Sequence, residues 1–249
     1  MHKFFVTPDS INESKATITG DDVKHIYKVI RLKAGDKIVI NDTRGNEYLG
    51  SIENVNKAAV DISILEKVQD SSESPIKITL FQGLPKSAKM DYIVQKGTEI
   101  GINEIIPIIT GRVVVKNEIG EYKKTDRWQR IALEACKQCK RSSIPKIASP
   151  IEFNELLELL KAFDTIVVPY ENEAGLGIKK MVSDLKHKAY NIAVIIGPEG
   201  GFEESEIDEL SEMGAYIVTL GPRILRTETA GIVCSAILEY ELGDMGGKI

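Results

Sequence analysis

Two stretches decide the fold of this chain, IGPEGGF at residues 196–202 and LGPRILRTETA at residues 220–230. Each follows an apolar run typical of a β-strand, at residues 191–196 and 216–220, and each opens a helix-like stretch. Loops at the carboxyl ends of neighbouring strands form the ligand crevice of an open α/β sheet. We therefore predict that the two glycine loops face one small-molecule site.

The first loop lacks the features of a phosphate-binding loop. The chain contains no G-x-x-x-x-G-K-[ST] and no G-x-G-x-x-G sequence. The loop carries Glu199 and is followed by Glu203, Glu204 and Glu206. These acids complement the N-terminus of their own helix and would repel a polyphosphate. A neutral or cationic ligand is expected, and the alternative is a tight strand-to-helix turn without a ligand.

The order of the predicted elements indicates two domains. Strand-like and helix-like segments alternate from Ile76 onward, which predicts an α/β fold with a mostly parallel sheet and helices on both faces. Residues 1–68 contain short strands around one helix, which predicts a small β-barrel. Residues 69–75 are polar and carry three serines, so we expect them to link domains at residues 1–68 and 76–249.

The glycine loops resemble those of the SPOUT methyltransferases, and more narrowly those of the RsmE family of ribosomal RNA uridine-N3 methyltransferases. The resemblance extends along the chain through KGTEIG at residues 96–101, RVV at residues 112–114 and EACKQCKR at residues 134–141, where the family pattern has Ser in place of Cys139. It implies a C-terminal trefoil knot, which general topology rules do not predict. For residues 1–68 it implies a PUA-like RNA-binding domain.

The same resemblance implies a function and partners. The implied methyl donor is S-adenosylmethionine, and the implied acceptor is the N3 of one uridine in 16S ribosomal RNA of the small ribosomal subunit. A homodimer is also implied. The helix at residues 229–242 has an apolar face wider than one buried stripe needs, and the extra face could pack on a partner or on the sheet of its own subunit. Two alternatives stay open, a ribose 2′-O methyltransferase of the same superfamily and a non-catalytic RNA-binding protein.

The donor is expected to contact three short segments of the chain. Its candidate binding residues are Pro169, Tyr170, Glu171, Gly197, Pro198, Glu199, Gly200, Gly201, Leu220, Gly221, Ile224, Leu225, Thr229 and Ala230. Uracil N3 is a poor nucleophile until its proton leaves, so the site needs a base or a cation that stabilises the anion. Arg226 is the candidate cation and Glu228 its catalytic neighbour. Glu199, Glu228 or water could each accept the proton.

The distribution of charge along the chain indicates the kind of partner that the protein binds. The net charge is −5, yet residues 77–146 carry fourteen basic and seven acidic side chains, which favours a docking face for a polyanion. The candidate RNA contacts are Arg31, Lys86, Lys89, Arg112, Arg127, Arg141 and Arg223, with solvated surface charge as the alternative for each.

No metal and no membrane are expected. Cys136 and Cys139 have the spacing of zinc ligands but no second ligand pair, so a metal site is not predicted. Three cysteines do not form a disulfide framework, and no apolar run reaches the length of a membrane span or signal sequence. A cytoplasmic protein is expected.

Overall fold

The structure, a computed structural model, describes residues 1–68, 73–86, 89–113, 124–173 and 175–247. The chain divides into two compact units. The first contains Met1–Glu73 and also Cys136–Ile144, and the second contains Ser74–Ala135 and Pro145–Ile249. The sequence predicted one continuous segment for each domain, whereas the first unit is discontinuous. Part of the expected linker, at residues 69–72, lies outside the described residues.

The first unit is built on one small sheet. Its strands are β1 (Lys3–Phe5), β2 (Lys15–Thr19), β3 (Lys37–Asn41), β4 (Glu47–Val55) and β5 (Ala59–Val68). Their order is β1-β3-β4-β5-β2, with only β1 and β3 parallel. A helix, α1 (Asp21–Lys24), continues as a π-helical turn at His25–Ile30 and buries Val23 and Ile26 against the sheet. Side chains of both end strands, Phe4 of β1 and Ile18 of β2, pack in one buried core, so the sheet curls around that core as predicted for the small barrel-like domain.

Residues 136–144 join the first unit through buried polar contacts. Arg141 forms an ion pair of 2.6 Å with Glu73, whose carboxylate also accepts the backbone N–H groups of Ser142 and Ser143 at 2.8 Å. The side-chain amide of Asn41 donates to the carbonyl of Ser142 at 2.6 Å. Hydrogen bonds to buried charged groups contribute more than neutral ones, so this cluster fixes the returning segment within the unit.

The second unit contains a parallel sheet, as predicted. Its strands are β6 (Lys77–Gly83), β7 (Glu104–Ile109), β8 (Lys146–Ile147), β9 (Ile151–Glu152), β10 (Thr165–Pro169), β11 (Asn191–Ile196) and β12 (Tyr216–Val218). The order is β12-β10-β11-β6-β7-β8, and β9 also pairs with β7. The strands that lead into the two glycine loops, β11 and β12, are therefore separated by β10. This differs from the expectation of neighbouring strands and brings a third loop to the same edge.

Helices cover both faces of this sheet, which confirms the predicted fold class. They are α2 (Lys89–Glu99), α3 (Lys124–Cys139), α4 (Phe153–Leu160), α5 (Ile178–Asp184), α6 (Glu204–Glu212) and α7 (Thr227–Leu242). Successive side chains of a strand point to opposite faces. On one face Phe81 packs with Leu156 of α4 and Leu210 of α6. On the other face, Leu80 lies against Gly231 of α7. Helix α7 also contacts α2 and α5. The trefoil knot stays a prediction.

Candidate active site

A cavity of about 750 Å³ lies at the carboxyl ends of β10, β11 and β12. Most of its wall comes from the ends of these strands and the residues directly after them, at 169–171, 173, 196–199, 201–202 and 219–227. The wall combines apolar side chains such as Phe202 and Leu225 with backbone groups and the carboxylates of Glu171, Glu173 and Glu199. Its volume falls within the range of about 300–1,000 Å³ typical of small-molecule sites.

The first glycine loop is shaped by Gly201. This residue has φ +71°, and its N–H donates to the carbonyl of Pro198 at 3.0 Å to close a tight turn. A Cβ at this position would lie 2.6 Å from Oε1 of Glu171, so a larger residue would displace the end of the Glu171 side chain as well as strain the backbone. Gly200 is different because a Cβ there would face Arg112 at 3.0 Å, and Gly200 does not line the cavity.

The acids after this loop serve the helix that they begin. Glu203 and Glu206 form a capping box at the start of α6, in which the Glu206 carboxylate accepts the N–H of Glu203 at 2.8 Å. Glu206 also accepts the N–H of Gly111 at 2.8 Å, and Arg112 forms an ion pair of 3.0 Å with Glu203. Gly111 and Arg112, which follow β7, are therefore attached to the helix that follows the first glycine loop.

The second glycine loop turns between β12 and α7. Gly221 has φ +104°, and its N–H donates to the hydroxyl of Thr219 at 3.1 Å. Arg226 is the N-cap residue of α7, where its carbonyl accepts the N–H of Thr229 at 2.8 Å. Between these points the side chain of Ile224 is 86% exposed at the cavity wall. An apolar side chain this exposed beside a cavity is available to contact a ligand.

A buried relay joins the two glycine loops through β6. The hydroxyl of Thr227 donates to the carbonyl of Gly197 at 2.6 Å and accepts from Nε2 of Gln82 at 2.8 Å. Gln82 is fully buried at the end of β6, and its Nε2 also donates to the carbonyl of Gly83 at 3.1 Å. Because a buried donor or acceptor without a partner costs about 1–3 kcal/mol, the Thr227 hydroxyl fixes the first residue of α7 to the first glycine loop.

Lys89, at the start of α2, lies between one carboxylate from each loop. Its Nζ is 3.0 Å from Oε1 of Glu199 and 3.3 Å from Oε2 of Glu228. The contact to Glu199 is a hydrogen bond, whereas Oε2 of Glu228 is inaccessible to solvent and makes no well-directed hydrogen bond, so that contact is an ion pair. The backbone N–H of Lys86 also donates to Glu199 at 3.0 Å.

These contacts stabilise the charged forms of Lys89 and Glu199. The hydrogen bond that Lys89 donates to Glu199 raises the pKa of Lys89. Burial by itself raises the pKa of Glu199, but the hydrogen bonds from Lys89 and from the Lys86 amide outweigh it, and the net direction is downward. We define Lys89, Glu199 and Glu228 as the charged triad, which has one net negative charge.

The structure brings together most of the predicted donor-binding residues. Twelve of the fourteen line the cavity: Pro169, Tyr170, Glu171, Gly197, Pro198, Glu199, Gly201, Leu220, Gly221, Ile224, Leu225 and Ala230. Gly200 and Thr229 do not line it. Gly200 faces Arg112, and Thr229 belongs to the first turn of α7.

The two predicted catalytic residues have different surroundings. Arg226 is exposed and lines the cavity. Glu228 is turned toward Lys89, and among the described ion pairs it has none with Arg226 or Arg223. Among the described residues, Glu228 therefore pairs with Lys89 and not with Arg223 or Arg226.

The predicted RNA contacts separate into three groups. Lys89 and Arg223 lie in the cavity wall, and Lys86 adjoins it through the contact to Glu199. Arg112 pairs with Glu203, and Arg127 pairs with Asp91 while most of its side chain stays exposed. The third group lies in the first unit: Arg31 is exposed with φ 58°, whereas Arg141 is 5% exposed and paired with Glu73. A buried arginine cannot contact RNA phosphates, so Arg141 is a structural residue.

Sequence reasoning missed Gln82 and Thr227, and it did not predict the two carboxylate partners of Lys89. A signal for Gln82 existed in the sequence, because it is the one amide side chain in the apolar run of β6. Almost all residues of this run, including Gln82, are buried. Thr227 belongs to the quoted stretch at residues 220–230 but was not singled out. No sequence signal pointed to the two partners of Lys89, because they lie 110 and 139 residues later in the chain.

Several further groups bear on metals, membranes and redox chemistry. Within the described ranges, no group of three or more His, Cys, Asp or Glu side chains is placed to hold a metal ion. None of the described helices is long and apolar enough to cross a membrane. Cys136, Cys139 and Cys234 are free thiols, and burial raises the pKa of Cys136 to about 12 and that of Cys234 still further.

Comparison with known proteins defines the class of the chain. Residues 72–239 match a family described as the RNA methyltransferase domain, and residues 18–65 match the RNA methyltransferase PUA domain. The chain is thus built from the two domains of an RNA methyltransferase.

Its relatives define the family more narrowly. The chain is 36% identical over 249 residues to ribosomal RNA small subunit methyltransferase E of Bacillus subtilis, and the aligned region covers 97% of each protein. The crystal structure of ribosomal RNA small subunit methyltransferase E from Neisseria gonorrhoeae, bound to S-adenosyl methionine, matches with TM-score 0.84 and 30% identity over 98% of this chain and 99% of that one. A putative methyltransferase from Legionella pneumophila, in complex with the same cofactor, has TM-score 0.81, 30% identity and 98% coverage of both chains. The chain belongs to the ribosomal RNA small subunit methyltransferase E family, which confirms the resemblance in its sequence.

Proposed function

We propose that this protein transfers a methyl group from S-adenosylmethionine to N3 of one uridine in 16S ribosomal RNA, acting on the small ribosomal subunit. The observation that carries the proposal is the cavity at the ends of β10, β11 and β12, which has Arg226 in its wall. Relatives of similar length carry the name of a small-subunit ribosomal RNA methyltransferase, and two similar structures hold the donor. The N3 position follows from the resemblance.

The cavity has the chemistry that the donor requires. S-adenosylmethionine supplies a methyl group on a positively charged sulfur when it is bound. The wall contains three carboxylates, Glu171, Glu173 and Glu199, and three basic side chains, Lys89, Arg223 and Arg226. This balance suits a ligand that carries a sulfonium, an ammonium and a carboxylate group better than it suits a polyphosphate. Exposed apolar side chains, Ile224 above all, suit an adenine ring, and the glycine loops allow backbone groups to approach its edge.

Arg226 and Glu228 are the proposed catalytic residues. Loss of the N3 proton leaves a negative charge shared by N3 and the two carbonyl oxygens of uracil. An arginine is always charged, so Arg226 at the cavity wall lowers the free energy of that anion. Glu228 is held near the same wall by Lys89.

Two variants of Arg226 test this assignment. Arg226→Ala should leave donor affinity nearly unchanged, because the proposed donor contacts are mostly with backbone groups. Its single-turnover rate of methyl transfer to small subunits should fall by about a hundredfold or more. Arg226→Lys is the matched control, because it keeps the charge and loses the planar guanidinium, and it should retain part of the rate. Full activity in Arg226→Ala contradicts the assignment.

A homodimer is part of the proposal. The face of α7 that carries Ile232, Val233, Ala236 and Ile237 is only half-buried within the chain, and Tyr240 on this helix is 63% exposed. Covering apolar side chains of this kind contributes about 25 cal/mol per Å². Light scattering at micromolar concentration should give twice the chain mass, and Ile237→Glu should halve it. A monomeric mass for the unaltered protein refutes the dimer.

The first unit is proposed to contact RNA. Residues 18–65 match a PUA domain of RNA methyltransferases, and Arg31 is exposed at the end of its helical segment. Arg31→Ala should weaken binding to small subunits, and the weakening should diminish at high salt because phosphate contacts release counterions. Unchanged affinity at low salt would remove Arg31 from the interface. The trefoil knot and a cytoplasmic location also belong to the proposal.

A further inference from the structure

Attack by uracil N3 constrains where a proton acceptor can stand. The lone pair that attacks the methyl carbon points along the former N–H bond, in the plane of the ring. A carboxylate that accepts the proton along this line occupies the position that the methyl carbon must reach. The proton therefore leaves before the methyl carbon arrives, and the protein contributes most by stabilising the uracil anion through donors at its two carbonyl oxygens.

The charged triad supplies such a donor. We propose, on the basis of the function proposed above, that Lys89 is a catalytic residue that donates a hydrogen bond to one carbonyl oxygen of the target uracil, and that Glu199 and Glu228 are positioning residues that aim it. Arg226 then serves the other carbonyl oxygen. This assignment gives Glu228 a positioning role instead of proton acceptance.

The geometry of Lys89 supports this role. An ammonium group has three N–H bonds; one donates to Glu199 at 3.0 Å, whereas the ion pair with Glu228 at 3.3 Å takes no well-directed hydrogen bond. Lys89 lines the cavity, and no further partner of its Nζ is found among the described residues. Its side chain is only 29% exposed, so two fixed partners hold a normally flexible group in one direction.

The ionisation of Lys89 is also suitable. The hydrogen bond to Glu199 raises the pKa of Lys89, so the amine is protonated at neutral pH and acts as a donor, not as a base. The charged groups that face it are Glu199 from the first glycine loop and Glu228 from α7. Because the triad has one net negative charge, Lys89 contributes a directed hydrogen bond and no excess positive charge.

The chemical step balances with these residues. The N3–H bond breaks first, and the proton passes to water. N3 then forms a bond to the methyl carbon while the carbon–sulfur bond breaks, and the electron pair of that bond stays on sulfur. Lys89 keeps all its protons throughout, and the hydrogen bond to the carbonyl oxygen is strongest while the uracil carries the negative charge.

The test uses the full-length protein, S-adenosylmethionine and small subunits that lack the modification. Single-turnover rates are measured from about pH 6 to about pH 9. Lys89→Met leaves Glu228 without its ion pair, so Lys89→Met/Glu228→Gln is included because it restores one net negative charge and leaves the proposed donor contact Glu199 in place. Lys96→Met is the matched control, since Lys96 lies on the same helix and pairs with Glu99 at 2.8 Å outside the cavity wall. Donor affinity and thermal unfolding are measured for each variant.

We expect the double variant to bind the donor within a few-fold of the unaltered protein and to transfer methyl about a hundredfold more slowly at neutral pH. Its rate should keep rising with pH beyond the point where the unaltered protein levels off, because the bound uracil loses its proton less readily without Lys89. Lys96→Met should behave as the unaltered protein does. The proposal is overturned if the double variant regains the normal rate, or if its rate falls with no change in the pH profile. Failure of the unaltered protein to make 3-methyluridine would instead refute the proposed function.

Discussion

The relay from Gln82 through Thr227 to Gly197 makes a quantitative prediction. Thr227→Val keeps the shape of the side chain and removes the hydroxyl, which leaves the Gly197 carbonyl and one N–H of Gln82 without their partner. Gln82 is fully buried, whereas Gly197 is partly exposed and can regain water. Each unsatisfied buried group costs about 1–3 kcal/mol, so we expect a combined loss of about 2–4 kcal/mol in the free energy of unfolding.

The measurement is thermal unfolding and donor calorimetry on Thr227→Val, with Thr227→Ser as the matched control that keeps the hydroxyl. For a unit of this size the melting temperature should fall by roughly 5–10 °C. Donor affinity should fall by roughly tenfold, which corresponds to about 1.4 kcal/mol, because the two loops are no longer tied together. Equal melting temperature and equal donor affinity in the Val and Ser variants would show that the relay does not join the loops.

Two further predictions concern the first glycine loop. Gly201→Ala should reduce donor affinity about tenfold, because the added Cβ, 2.6 Å from Oε1 of Glu171, would displace that carboxylate of the cavity wall. The control Gly214→Ala has a similar positive φ with open space around it, and should cost about 1–2 kcal/mol of stability with donor affinity unchanged in calorimetry. The stabilising contact of Glu199 with Lys89 should be present at neutral pH and lost under acid, because the folded-state pKa of Glu199 lies below its ordinary 4.5. The difference in unfolding free energy between the unaltered protein and Glu199→Gln should therefore be constant near neutrality and shrink as the pH falls below that value; a difference that grows in acid would contradict the assignment.

The sequence predicts the second unit well because its information is local. Apolar runs such as β6 and β11, each followed by a polar turn and a helix, specify a parallel sheet with little ambiguity. The glycine loops identify the site for the same reason, since positive φ at Gly201 and Gly221 requires glycine in the sequence itself.

The remaining features depend on contacts between distant parts of the chain. Strand order is not encoded in any one segment, so the position of β10 between β11 and β12 could not be predicted. The ion pair of Arg141 with Glu73 spans 68 residues and assigns residues 136–144 to the first unit, which changes a predicted RNA contact into a structural residue. In the sequence, Lys89 cannot be distinguished from an exposed basic residue. Its place in the site is evident only from its two carboxylate partners in the structure.

The most direct test of the proposed function is nucleoside mass analysis of 16S ribosomal RNA after reaction. Small subunits that lack the modification are incubated with the full-length protein and S-adenosylmethionine, and the RNA is then digested to nucleosides and to mapped fragments. The proposal predicts one 3-methyluridine at a single position, formed by the unaltered protein and nearly absent with Arg226→Ala. A 2′-O-methylated nucleoside, a methylated base other than uracil, or no methylated product at all would contradict it.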